Sequence, residues 1–136
     1  MLDQTAPEFQ LPRVLSALSD PTRLGIVRVL ADGAERGWGQ LHVPVAKSTL
    51  SHHLRMLREA GVTRTRQEGT RCFVALRREA LDACFPGLLK ALLEAATAGR
   101  VGEHVTERRP QESSRFRHDV KAASVSEAYP ATKAGS

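Results

Sequence analysis

The chain has 136 residues, 41% of them hydrophobic and only 4% aromatic, with a net charge of +5 and a pI near 9.9. That length suits one domain whose core is built from leucine, valine and alanine. It has no apolar run near the ~20 residues that a membrane span needs, no apolar secretory leader in MLDQTAPEFQLP, and too few cysteines (Cys72 and Cys84) for a disulfide scaffold.

Residues 1–11 read as a short polar lead. Pro12 suits the first turn of a helix, where its missing N–H costs little, and Val14, Leu15 and Leu18 form an apolar stripe along it. Asp20-Pro21 is a strong second helix start, with Asp as N-cap and Pro in the first position. Leu24, Ile26, Val27 and Leu30 continue that helix, and Gly33 ends it. In residues 34–46, Gly37, Gly39 and Pro44 restrict any helix to a turn or two around Gln40–Val43, since Pro44 disfavours helical geometry at Val43.

From Lys47 the helical period resumes. Leu50, His53, Leu54 and Leu57 share one face, while Thr49, His52, Arg55 and Glu59 point away from it. Gly61 terminates the helix, and Ala46 is a poor N-cap that the hydroxyls of Ser48 or Thr49 would have to replace. Two strands follow, Val62 to Arg66 and Thr70 to Leu76, with Gln67-Glu68-Gly69 as the connecting turn. Cys72, Val74 and Leu76 share one strand face, and Arg71 and Phe73 the other. Residues 78–84 form a short helix, Phe85-Pro86-Gly87 breaks it, and LLKALLEAATA forms a last helix with Leu88, Leu89, Leu92, Leu93 and Ala96 on a wide apolar face. From Gly99 to Ser136 no period is sustained, and the segment reads as a disordered tail. The expected organisation is therefore a lead (1–11), one domain (12–98) and a tail (99–136).

Charge is concentrated in one place. Lys47–Arg78 holds eight basic and two acidic residues, so its +6 exceeds the net charge of the whole chain. A helix bearing Lys47, Ser48, Thr49, Ser51, His52 and Arg55, followed by a hairpin bearing Arg64, Arg66 and Arg71, is the footprint of a duplex-DNA reader. The helix fits a major groove, and the hairpin arginines suit phosphates or a minor groove. Replacing Ser48 or His52 should relax base preference, whereas replacing Arg66 or Arg71 should weaken all sequences alike.

The runs LSDPTRLGIVRVLADG and KSTLSHHLRMLREAGVTRTRQEGTRCFVAL resemble the ArsR-type winged helix-turn-helix regulators of bacteria over about residues 12–97. Ser48 to Val62 is the most specific stretch, supported by Asp20–Arg23 upstream. The resemblance implies a mainly α fold with a small β-hairpin. It also implies a homodimer, paired through its first and last helices, that represses transcription from a palindromic operator; a cytoplasmic location is the expectation from the absence of a leader-like or membrane-spanning run. Val14, Leu15, Leu18, Leu88, Leu89, Leu92 and Leu93 are the expected interface.

The chain departs from the metal-sensing relatives. Gln40-Leu41-His42-Val43 stands where they carry a cysteine pair, and the last helix offers only Lys90 and Glu94, with His104 beyond it. No metal or cofactor is expected, and the signal would be an inducer of unspecified chemistry. His52 and His53 point about 100° apart on a helix and make a poor metal pair. Cys72 reads as a buried strand cysteine and Cys84 as one near the dimer helix before the two read as a thiol switch, and Trp38 reads as a packing residue. Arg77 and Arg78 read as solvent-exposed, with contact to backbone phosphates as the alternative. No catalytic motif is present. The alternatives are a redox- or ligand-responsive sensor of the same fold, acting through Cys72 and Cys84 or an interface pocket, and a winged-helix interaction module that no longer binds DNA.

Overall fold

The computed structural model describes residues 9–108. Within them lie α1 (Leu11–Ala17), α2 (Pro21–Val29), β1 (Arg36–Gly37), a 3-10 turn (Trp38–Gln40), β2 (Leu41–His42), α3 (Lys47–Glu59), β3 (Thr63–Glu68), β4 (Arg71–Leu76), α4 (Arg78–Cys84), α5 (Leu88–Ala98) and β5 (Thr106–Glu107). This is a winged helix-turn-helix. The wing hairpin β3–β4 is extended by β1 into an antiparallel sheet ordered β1-β4-β3, and β2 pairs separately with β5.

Local chemistry sets the helix ends. Asp20 caps α2, its carboxylate accepting the Arg23 N–H at 3.0 Å, with Pro21 in the first turn. Ile26, Val27 and Leu30 then point inward and are fully buried in one core with Leu54 and Leu57 of α3, Val62 just before β3, and Val74 and Leu76 of β4. Burying each such side chain contributes about 1.5–3 kcal/mol, so this contact between α2, α3 and the sheet fixes how α3 is presented.

The hairpin is tighter than the sequence suggests. Glu68 pairs with Arg71, so the turn is Gly69-Thr70 rather than Gln67-Glu68-Gly69. Gly69 sits at φ +62°, as the first central position of a two-residue hairpin turn favours. The expected helical turn around Gln40–Val43 is also not formed. The 3-10 turn precedes it, and Leu41–His42 is extended because β5 offers it a partner and Pro44 biases its neighbour away from helix.

Packed residues lie on both sides of the 12–98 segment. Phe9, placed in the lead, is buried and packs edge-on to Phe85 with ring centroids 6.3 Å apart. Residues 99–108, assigned to the tail, turn back after α5 and cross α2. Gly102 and Gly25 meet backbone to backbone: a Cβ on Gly25 would lie 2.6 Å from the Gly102 carbonyl oxygen. Val105 is buried, the His104 Nε2 lies 2.8 Å from the Thr22 hydroxyl, and Leu41 pairs with Glu107. We call residues 99–108 the return arm. The remainder of the expected tail, 109–136, and residues 1–8 lie outside the described residues.

Candidate nucleic-acid interface

The outer face of α3 carries Lys47, Ser48, Thr49, Ser51, His52 and Arg55, all exposed. Its inner face holds Leu54 and Leu57 buried, with Leu50 and His53 at the boundary. A helix leaves its first N–H groups without intrahelical partners, and Ala46 supplies no side-chain acceptor for them. Neither Ser48 nor Thr49 replaces the missing cap, since the helix begins at Lys47 with no side-chain cap bond. The N-terminus of α3 thus joins a positive dipole end to short hydroxyl side chains, an arrangement suited to an anionic backbone.

His52 and His53 play different parts. The Arg55 guanidinium donates to His52 Nδ1 at 3.4 Å and lies 4.0 Å from Glu59, an exposed and weak arrangement. His53 faces α2 instead. Arg23 donates to its Nδ1 at 3.2 Å and to the Ala17 carbonyl at 2.7 Å, and the Asp20 carboxylate is 3.8 Å away. A guanidinium cannot accept a hydrogen bond, so His53 Nδ1 carries no proton in this contact. Burial pushes the His53 pKa below its ordinary value of 6.5, outweighing the attraction of Asp20. Burial would by itself raise the Asp20 pKa, but the Arg23 N–H and the charges of His53 and Arg23 bring it below the ordinary 3.8. This Asp20–Arg23–His53 cluster ties the start of α2 to the middle of α3.

On the wing, the strand alternation puts Arg64, Arg66, Glu68, Arg71, Phe73 and Ala75 on one face. Arg64 and Arg71 are exposed there. The Arg66 and Arg71 guanidiniums lie 4.5 and 5.1 Å from the Phe73 ring centroid, within cation–π reach. Arg66 is further engaged by acids that the sequence reading did not pair with it. It donates to both Glu35 oxygens, at 3.0 and 2.8 Å, and to Glu68 at 2.9 Å. These bonds hold the Glu35 pKa below the ordinary carboxylate value and raise that of Arg66. The Glu68 link lies at a separation of two and was accessible from the strand period. The Glu35 link spans 31 residues and carried no local signal.

Two other arginines are structural, correcting the expectation that they face solvent. Arg78 donates to the Ala31 carbonyl at 2.6 Å, closing the end of α2, and Arg77 lies over the Phe9 ring at 4.8 Å. Both are half-buried. Cys72 is half-buried on β4, Cys84 is exposed at the end of α4, and both are free thiols. Among the described residues no group of three or more His, Cys, Asp and Glu is placed to hold a metal ion, and no helix is long and apolar enough to cross a membrane.

The seven residues expected to pair two copies divide. Val14, Leu18 and Leu89 are buried within the single chain, where α1, α4 and α5 converge. Leu15 is 41% exposed, and Leu88, Leu92 and Leu93 are half-buried.

A helix presented over a buried scaffold, with an arginine-bearing wing beside it, defines a helix-turn-helix transcriptional regulator. The family model of bacterial regulatory proteins of the arsR family matches residues 20–64, from the cap of α2 to the start of the wing. An uncharacterized HTH-type transcriptional regulator, YceK, of Bacillus subtilis is 37% identical over 83 residues, covering 59% of this chain and 83% of the relative. The arsenical resistance operon repressor of Staphylococcus xylosus is 35% identical over 74 residues, or 54% of this chain and 71% of the repressor. An uncharacterized HTH-type regulator of Methanocaldococcus jannaschii is 37% identical over 59 residues, 42% and 66% of the two chains. The chain belongs to the ArsR family of transcriptional regulators.

Proposed function

We propose that this regulator is a homodimeric repressor whose two α3 helices enter successive major grooves of a palindromic operator. The observation that carries the reading is the α3 N-terminus, which has no side-chain cap and presents Ser48, Thr49, Ser51 and His52 to solvent. Ser48, Thr49, Ser51 and His52 read base edges, Lys47 and Arg55 hold phosphates, and the wing adds Arg64 and Arg71, with Arg66 restrained by its acids. Pairing of two copies buries Leu15 with Leu88, Leu92 and Leu93, over the apolar crevice between α1, α4 and α5.

Selection of bound duplexes from a random library tests this reading. It predicts inverted half-sites about 34–36 Å apart, one helical turn. Selected duplexes carrying a single unrepeated half-site, or a monomer in sedimentation at working concentration, would count against it. A redox sensor of the same fold has less support, because no observation brings Cys72 and Cys84 together.

A further inference from the structure

The wing face bears three arginines, Arg64, Arg66 and Arg71, but it also carries Glu68 and receives Glu35 from the segment before β1. Its net charge is therefore +1, not the +3 that the arginines alone would give. The delivery of Glu35 is built into the topology. Arg36 pairs with Val74 and Gly37 with Phe73, so β1 lies on the far side of β4 from β3. Glu35 therefore has to reach across β4 to Arg66. Arg36 is anchored in turn by Asp32 at 2.9 Å and Glu107 of the return arm at 2.8 Å, which holds the segment in place. Among the described residues the Arg66 guanidinium donates two bonds to Glu35 and one to Glu68, and the Glu35 pair has the two-pronged geometry by which a guanidinium also grips a phosphate.

We propose that Glu35 is a specificity-determining residue that competes with the DNA backbone for Arg66 and so suppresses sequence-independent binding. This rests on the DNA-reading function above. Phosphate contacts supply essentially all non-specific affinity, whereas base contacts supply discrimination. A wing arginine occupied by a carboxylate of its own chain removes one phosphate contact from every sequence and leaves the α3 contacts intact. The ratio of specific to non-specific affinity rises as a result.

The test uses the full chain and a fluorescent random-sequence duplex of roughly 30 base pairs, long enough for two half-sites one turn apart. Affinity is measured by anisotropy over a salt series for wild type, Glu35→Gln, Glu68→Gln, Arg66→Gln and the Glu35→Gln/Arg66→Gln double variant. Wild type should bind with a salt-dependent affinity. Glu35→Gln should bind several-fold more tightly at low salt, with a log–log salt slope steeper by about one, the increment for one added phosphate contact. Glu68→Gln should move affinity less. In the Arg66→Gln background the Glu35 effect should vanish. A Glu35→Gln protein with unchanged affinity and slope would overturn the inference while leaving DNA reading intact. So would an equal gain with Arg66 absent, which would make Glu35 merely one more repelling charge. A wild type that binds no duplex even at low salt would instead sink the DNA-reading function itself, and the inference with it.

Discussion

Gly25→Ala probes the contact on which the return arm depends. In most helix interiors this change would stabilise, because alanine exceeds glycine in helix propensity by about 1 kcal/mol. Here the added Cβ would sit 2.6 Å from the Gly102 carbonyl oxygen, 2.7 Å from Val105 Cγ2 and 3.0 Å from Gly102 Cα. Two of those atoms are backbone and cannot swing aside. On the other side, α2 is held by the buried Ile26, Val27 and Leu30, so the arm has to lift. Exposing Val105 costs about 1.5–3 kcal/mol, and the propensity gain offsets part of it. The net is a loss of about 0.5–2 kcal/mol, or roughly 2–16 °C in Tm for a domain of this size. Urea unfolding gives the stability, and amide hydrogen exchange locates the damage. Protection should fall at Leu41–His42 and Thr106–Glu107 and persist along the β3–β4 pairing. An alanine variant as stable as wild type, with β2–β5 protection intact, would refute the argument.

Titration of His53 gives a second prediction. Its folded pKa lies below the unfolded 6.5, so between those two values the unfolded chain binds more protons and stability rises with pH. Stability should therefore fall as pH is lowered from 6.5 toward the folded value. His53→Gln should flatten that part of a pH–stability profile, and an unchanged profile would remove His53 from the account. Leu57→Ala, at a position with no exposed surface, should cost about 2–5 kcal/mol in urea unfolding. A loss under 1 kcal/mol would show that α3 is not anchored there. Arg71→Ala should weaken random and operator duplexes to a similar degree, and by more than Arg66→Ala, whose charge is already matched by Glu35 and Glu68.

Elements specified by their own neighbours were legible in the sequence. The Asp20-Pro21 start of α2, the Leu50–Leu57 period of α3 and the alternation of β4 each have a local cause, and each forms where its pattern indicates. What was hidden depends on partners far along the chain. β1 and β2 are two residues each and become strands only because β4 and β5 lie beside them. Val101 and Val105 are the only large apolar residues of the return arm, too few to mark a period, and its docking depends on Gly25 and Gly102, 77 positions apart, meeting backbone to backbone. The candidate surface divides in the same way. The exposure of Ser48, Ser51 and His52 follows from helical geometry, whereas the restraint of Arg66 by Glu35 depends on strand order and could not be read from spacing.

The most direct measurement is the salt dependence of duplex binding by wild type beside Ser48→Ala and His52→Ala, on a duplex selected by the protein and on a random one. Affinity should fall steeply with salt for wild type, and both α3 variants should lose preference for the selected duplex while keeping their affinity for the random one. If wild type shows no salt-dependent binding, or if both variants keep the full preference, α3 is not the reading element and the account fails.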